Sequence, residues 1–331
     1  MKNSKNNIKI RRTLLPFKYF HNPESSFMRL SPRQSELVVE FNRKAEQGLI
    51  EFESVNCLCG SLEFDLIASV DRHSMRQKTI MCVRCGLIQS NPRMTDKEYA
   101  KFYSSDMYRL CYEGEDYLIT YEDRYEPRHS RHIFDEISGI RTVDPTVSVL
   151  EVGAGGGWNL VLFANAGAAV VGIDYSESLV NMGNRHGLNM KQGSIDDIKG
   201  LYDIIIINHA LEHFPDPVES LKKIIRHLDK SGLLYIGVPN IMNFGIGQLQ
   251  NAHVYYFTPL TFEYYCAKAG LKSIKIGAAQ EVHMFGTFTH SDVSSCPRID
   301  GHYGTMINRF KIEKLKCMTK IILSYLGLYK R

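Results

Sequence analysis

Three groups of residues in this 331-residue chain are spaced for chemistry. The first is Glu151-Val152-Gly153-Ala154-Gly155-Gly156-Gly157, followed at the end of the next apolar run by Asp174. Glycines let a turn approach a ligand closely, the helix start that follows offers free N–H groups, and an acid one strand later is placed to bond ribose hydroxyls. The second group is two cysteine pairs, Cys57-Leu58-Cys59-Gly60 and Cys82-Val83-Arg84-Cys85-Gly86. The second pair has the spacing of a zinc-knuckle half and the first is one residue short of it. Four thiolates would close a tetrahedral site with no open position, so the expected metal is a structural zinc ion. His73, between the pairs, is an alternative to Cys57. The third group is the loop His209-Ala210-Leu211-Glu212-His213, with His253 further on. Histidines are the usual proton acceptors at neutral pH, so His213 is the first candidate for a catalytic base. His209 and His253 come next, with Glu212 to orient a ring.

These residues need elements to hold them. Val147–Val152, Ala169–Ile173, Ile204–Ile207 and Leu233–Val238 are short, nearly continuous apolar runs of strand type, with Ser273–Ile276 as a further strand. Between them, 159–165, 176–185, 217–228 and 261–269 read as helices. Alternating strands and helices with fully apolar strands imply a doubly wound, Rossmann-like α/β domain with a parallel sheet covered on both faces. Upstream, 35–48 reads as a helix, Leu62, Phe64 and Leu66 as a small strand, Thr95 with Glu98 as a capping box opening an aromatic helix, and 125–137 as another helix. The segments expected are an N-terminal extension (1–50), a zinc-binding segment (51–110), a helical linker (111–145), the α/β domain (146–276) and a C-terminal extension (277–331).

Composition narrows the function classes. With 44% hydrophobic and 23% charged residues, the chain reads as globular rather than disordered. No apolar run is long enough to span a bilayer, and the basic N-terminus lacks the pattern of a secretory signal, so a cytoplasmic location is expected. Residues 1–20 carry six basic and no acidic side chains, and 306–331 seven basic against one acidic. The net charge of +4 therefore leaves about −8 for the middle of the chain, which argues against a nucleic-acid binder. The C-terminal segment Met306–Arg331 sets Ile307, Phe310, Leu315, Ile322 and Leu326 among basic residues, a pattern that suits peripheral membrane contact or packing on the protein.

The turn separates two nucleotide-type readings. A dinucleotide site wants G-x-G-x-x-G, but the third glycine position is Trp158. An acid two residues before G-x-G-x-G is the methyltransferase pattern, which Glu151, Gly153, Gly155 and Gly157 fill. Residues 147–275 resemble a class I S-adenosylmethionine-dependent methyltransferase with a seven-stranded sheet. Val170–Ser176 resembles that family's second-strand motif, Gln192–Asp196 the segment beside the adenine, and Tyr202–Pro217 the fourth-strand motif and its loop. The resemblance implies S-adenosylmethionine bound by Glu151, Gly153, Ala154, Gly155, Gly157, Asp174, Tyr175 and Asn208. The adenine contact is left among Ser194, Ile195 and Asp196, because Ser194 stands where the family often has Asp. Residues 55–110 resemble the zinc-binding segment of sugar methyltransferases, although only about 55 residues follow Ile276, where sugar C-methyltransferases carry a further large domain. The implied reaction is in-line methyl transfer to a small, carbohydrate-derived acceptor (a nucleotide sugar or glycan). Tyr255 and Tyr256 are candidates to line the acceptor pocket, against a plain core role. The alternatives are a quinone-like metabolite as acceptor, or a zinc-ribbon nucleic-acid-binding protein or RNA methyltransferase.

Overall fold

Apolar runs too short for helices and too hydrophobic for one-sided strands become the inner strands of a sheet. The computed structural model describes residues 8–105, 107–278, 283–291 and 296–325. It divides into two units, each discontinuous in the chain: Met1–Thr95, Asn240–Thr261 and Arg298–Arg331 in one, Asp96–Pro239 and Phe262–Pro297 in the other. Both units cut across the contiguous segments expected from the sequence.

The second unit holds the strands β1 (Ser148–Val152), β2 (Ala169–Asp174), β3 (Met190–Gln192), β4 (Tyr202–Asn208), β5 (Leu228–Pro239), β6 (Leu271–Ala278) and β7 (His283–His290). They form one seven-stranded sheet in the order β6-β7-β5-β4-β1-β2-β3. The five strands from β5 to β3 run parallel, and β7 runs antiparallel to both β5 and β6. Ile204 to Ile207 are wholly buried, as strands covered on both faces require. Val149, Ile204 and Ile206 pack with Leu160, Phe163, Ile133 and Ile137 in one core. From β1 the chain moves outward to β2 and β3, then returns to β4 on the other side of β1. That reversal leaves a crevice at the carboxyl ends of β1 and β4, where ligands of such sheets bind. The glycine turn follows β1 and the histidine loop follows β4.

The first unit has a five-stranded sheet of Lys9–Thr13, Glu63–Val70, Arg76–Cys82, Ile88–Ser90 and Tyr255–Tyr256 in that order, and a ribbon of Phe52–Glu53 with Arg93–Met94. Tyr255 and Tyr256 pair with Gln89 and Ile88 and are buried, Tyr256 within the core that includes Leu15, Phe20, Met81 and Phe310. The core role is therefore the one realised for both tyrosines.

Several helices differ from expectation for identifiable reasons. The first spans Pro32–Glu46, opened by Ser31 with Gln34 as a reciprocal cap and Pro32 in the first turn. The capping box expected at Thr95 is not made: Thr95 Oγ1 has no partner among the described residues, and Glu98 pairs with Lys101 at 2.7 Å. The helix expected over 125–137 is broken by Pro127 into short turns and a helix over Arg131–Ser138. The C-terminal helix spans His302–Tyr325, and Leu326 lies outside the described residues.

Candidate active site and cysteine cluster

The turn after β1 needs glycine. Gly153, Gly155 and Gly157 take φ of +67°, +56° and +77°, a region that costs other residues about 1–2 kcal/mol. A Cβ at Gly153 would also lie 2.7 Å from Ala210. The turn is tied down by its own neighbours. Gly153 and Ala154 N–H donate to the Ile173 carbonyl at 2.9 and 3.0 Å. Asp174 Oδ2 accepts from Gly155 N–H at 2.7 Å, and Oδ1 accepts from Ser176 N–H at 2.9 Å. Asp174 thus locks the glycine turn to the end of β2, and each oxygen keeps a further lone pair for a ligand hydroxyl.

Glu151 lies buried at the base of the turn. Its Oε1 accepts from Asn159 Nδ2 at 2.6 Å, while Oε2 has no partner among the described residues. Burial, helped by the charge of Asp174 and opposed by the Asn159 bond, pushes the Glu151 carboxyl up to about 8. An orphaned buried carboxylate oxygen is the complement of a ligand ammonium.

The expected linker covers this turn. Tyr125 Oη donates to the Gly156 carbonyl at 2.7 Å, and the Tyr121 ring meets the Trp158 indole edge-on at 5.0 Å. The Arg124 guanidinium lies 4.1 Å from the Tyr121 ring centre and 4.9 Å from that of Trp158. Burial lowers its pKa. Among the described residues the guanidinium stacks on rings, with the charge of Glu113 partly opposing the effect of burial. Tyr121, Arg124 and Tyr125 were not singled out from sequence. The only signal was an aromatic, arginine-bearing stretch just upstream of β1.

The other expected cofactor residues lie along the crevice edge. Tyr175 is exposed beside Asp174. Ser194 caps a short turn over Ile195–Asp197 and bonds Asp197, Ile195 is half-buried, and Asp196 pairs with Lys223 at 2.7 Å. Asn208 ends β4, half-buried.

The loop after β4 carries three of the four candidate catalytic residues. His209 takes φ +52°, rare outside glycine, and its N–H donates to the Gly237 carbonyl at 2.9 Å. Glu212 is buried, with Oε1 3.5 Å from His209 Nδ1 and 3.9 Å from His213 Nε2. His213 Nδ1 and Tyr103 Oη are 2.8 Å apart. Tyr103 and Tyr108 stand edge-on to the His213 ring at 5.8 and 5.7 Å. Burial first, then the neighbouring tyrosines, hold the Tyr103 phenol well above its ordinary pKa, so it stays neutral. His283 meets His209 edge-on at 4.8 Å. Tyr103 and His283 were missed from sequence as site residues, since no local pattern links them to the loop. His253 lies in the first unit, buried, its carbonyl accepting from Ser90 Oγ at 2.8 Å.

In the first unit, Cys57, Cys59, Cys82 and Cys85 place their sulfurs within 4.8 Å of one another. Cys57 and Cys85 are 3.5 Å apart, and Cys59 and Cys82 are 3.6 Å apart. A tetrahedral site with Zn–S of about 2.3 Å needs sulfurs about 3.7 Å apart, so this donor set fits one ion. Tight turns present the pairs, with Gly60 N–H on the Cys57 carbonyl at 2.7 Å and Gly86 N–H on that of Cys82 at 2.9 Å. The short Cys57–Cys59 spacing therefore does not prevent convergence. Hydrogen bonding among the thiols and burial push Cys57 up, whereas bonds from Cys57 and Cys59 pull Cys82 down. His73 is not part of the cluster. It follows Asp71, whose carboxylate accepts its N–H at 2.9 Å.

Comparison with known proteins agrees with the crevice. Residues 122–276 match the model of a methyltransferase domain. Two curated relatives are ubiquinone biosynthesis O-methyltransferases. The one from Coxiella burnetii is 32% identical over 126 residues, which is 35% of this chain and 50% of the relative. The one from Xanthomonas oryzae is 32% identical over 102 residues, 28% and 43% of the two chains. The chain thus spans about half the length of the curated relatives it matches. A magnesium protoporphyrin IX methyltransferase from Synechocystis with bound S-adenosylhomocysteine aligns with TM-score 0.46 and 15% identity, over 60% of this chain and 100% of that one. Residues 122–276 therefore carry a methyltransferase domain.

Proposed function

We propose that this chain, on the premise of that domain, transfers a methyl group from S-adenosylmethionine to a hydroxyl of a small acceptor. The observation that carries the reading is Glu151 Oε2, buried and unpartnered among the described residues at the base of a turn locked by Asp174. Glu151 would hold the cofactor ammonium, Arg124 its carboxylate and Asp174 its ribose hydroxyls. The bound cofactor supplies an electrophilic sulfonium methyl, and the chain's task is alignment and exclusion of water.

His213 takes the acceptor's proton at Nε2. In that role Nδ1 carries the other proton and donates it to Tyr103, and Glu212 stabilises the imidazolium formed. His213→Gln is expected to lower kcat by about 10²-fold or more and to leave S-adenosylhomocysteine affinity unchanged. It should also abolish the acidic limb of the pH–rate profile, since a base must be unprotonated to work. An unchanged limb would remove His213 from the role.

For the acceptor we propose a carbohydrate-derived hydroxyl, supported by the resemblance of the cysteine segment to that of sugar methyltransferases. The similarity to ubiquinone biosynthesis O-methyltransferases favours a second reading, a phenolic, quinone-like acceptor, whose more acidic hydroxyl a histidine deprotonates more readily. Incubation with methyl-labelled cofactor and paired panels of nucleotide sugars and catechols separates them by which panel takes label. Zinc in the cysteine cluster is part of the same proposal, as a brace for the first unit. Metal analysis of the purified chain returning no zinc would remove it.

A further inference from the structure

The helix His302–Tyr325 has two apolar faces, and its own unit uses one. Met306, Phe310 and Cys317 are buried in the core with Leu15, Phe20 and Ile67. Elsewhere on the helix Ile312, Leu315, Met318 and Ile322 are between 44% and 63% exposed. At about 100° per residue, these four fall within an arc of roughly 120° facing away from the buried three. Lys311 lies within that arc, Lys314 about 40° beyond one edge, and Lys316 and Arg309 about 40–60° beyond the other, with Lys320 further round. Glu313, the helix's single acid, lies toward the buried side, 3.7 Å from Lys316. Among the described residues no helix is long and apolar enough to cross a membrane.

We propose that this face docks on an anionic lipid bilayer. The helix lies in the plane of the interface, with Ile312, Leu315, Met318 and Ile322 at the headgroup–acyl boundary and the flanking cations at the level of the phosphates. Charge decides the occupant. A second copy meeting this face would bring a like-charged lysine edge against another, whereas an anionic surface pairs with both edges at once. Lysine stems suit this placement, because they lie along apolar surface while the ammonium stays hydrated. The inference uses the first unit alone and stands apart from the acceptor's identity.

The test is flotation of the full chain with phosphatidylcholine–phosphatidylglycerol vesicles and with phosphatidylcholine alone. Binding to the mixed vesicles is expected, weakened by added salt. It should fall about tenfold or more in Leu315→Gln/Ile322→Gln, which removes two buried apolar groups from the interface. Lys314→Gln/Lys316→Gln keeps the apolar face and is expected to lower binding several-fold, which decides the matter should the first variant lose helix content by circular dichroism. Absence of flotation with the anionic vesicles, or variants that float like the parent, would overturn the proposal. So would sedimentation showing a dimer that Leu315→Gln/Ile322→Gln dissociates.

Discussion

The glycine turn and the cysteine cluster are both small concave arrangements of polar groups, but they are held in opposite ways. Around the turn the fold satisfies its own donors: Gly155 and Ser176 bond Asp174, Asn159 bonds Glu151, and Tyr125 bonds Gly156. Among the described residues one buried oxygen there, Glu151 Oε2, has no partner, and it is the one we propose for the ligand. The four cysteines come from two turns more than twenty residues apart and face chiefly one another. The first arrangement is prepared without its ligand. The second brings together four groups that cannot all ionise without a cation, so the metal we propose for it is part of what folds it.

Chelation should therefore produce the largest effect. Structural zinc contributes about 10–16 kcal/mol in small domains, more than most whole domains possess. Removing it is expected to unfold the first unit, read as an early thermal transition absent from the metal-loaded chain. S-adenosylhomocysteine binding, a property of the second unit, should persist. Equal loss of both signals would break the contrast.

Next in size is Asp174→Ala. It removes two hydrogen bonds to a charged acceptor, each contributing about 1.5–3 kcal/mol, and frees the turn it locks. Titration calorimetry should show S-adenosylhomocysteine affinity lowered by about a hundredfold or more, with zinc content unchanged. A smaller loss would mean that the glycines alone preform the turn.

Glu151 gives the pH dependence. Its carboxyl, raised to about 8 by burial, stays protonated in the fold where the unfolded chain has already ionised. A raised pKa stabilises below the unfolded value and the contribution is lost as pH rises toward the folded one. At about 1.36 kcal/mol per unit, up to about 5 kcal/mol is lost between roughly pH 4.5 and 8. Glu151→Gln should flatten that slope in Tm. An ammonium placed on Oε2 favours the ionised form, so cofactor binding near pH 6.5 should release close to one proton. Calorimetry in buffers of different ionisation enthalpy reads this directly, and zero release would remove the ammonium from Glu151.

These differences also explain what could be read in the sequence. The turn, its flanking strands and Asp174 lie within 27 consecutive residues, Ser148 to Asp174, and their geometry follows from local apolar runs and glycine positions. The cysteine cluster was legible because each turn carries its own signature. Three features lay beyond local pattern. The Tyr103–His213 pair joins residues 110 apart, the cover of Tyr121, Arg124 and Tyr125 had the look of a linker, and Tyr255–Tyr256 pairs with Ile88–Gln89 far upstream. The last pairing is one reason the units are discontinuous. Strand β7 was missed because Gly286 and Thr287 interrupt its apolar run and its antiparallel partners lie elsewhere in the chain.

The smallest effect separates two glycines in the same backbone region. Gly60, just after Cys59, has φ +86° and open space where a Cβ would stand, whereas Gly153 has φ +67° and Ala210 at 2.7 Å. Gly60→Ala thus meets only the left-handed penalty, about 1–2 kcal/mol, partly offset by the lower entropy of an alanine in the unfolded chain. A loss of roughly 1 kcal/mol, read as a drop in Tm with zinc retained, is expected. Gly153→Ala adds a contact that either the turn or the β4 loop must yield to, so it should cost more stability and weaken S-adenosylhomocysteine binding as well. If the two substitutions proved equal, the turn would be yielding freely, and the claim that the fold holds it ready would fail on that result alone.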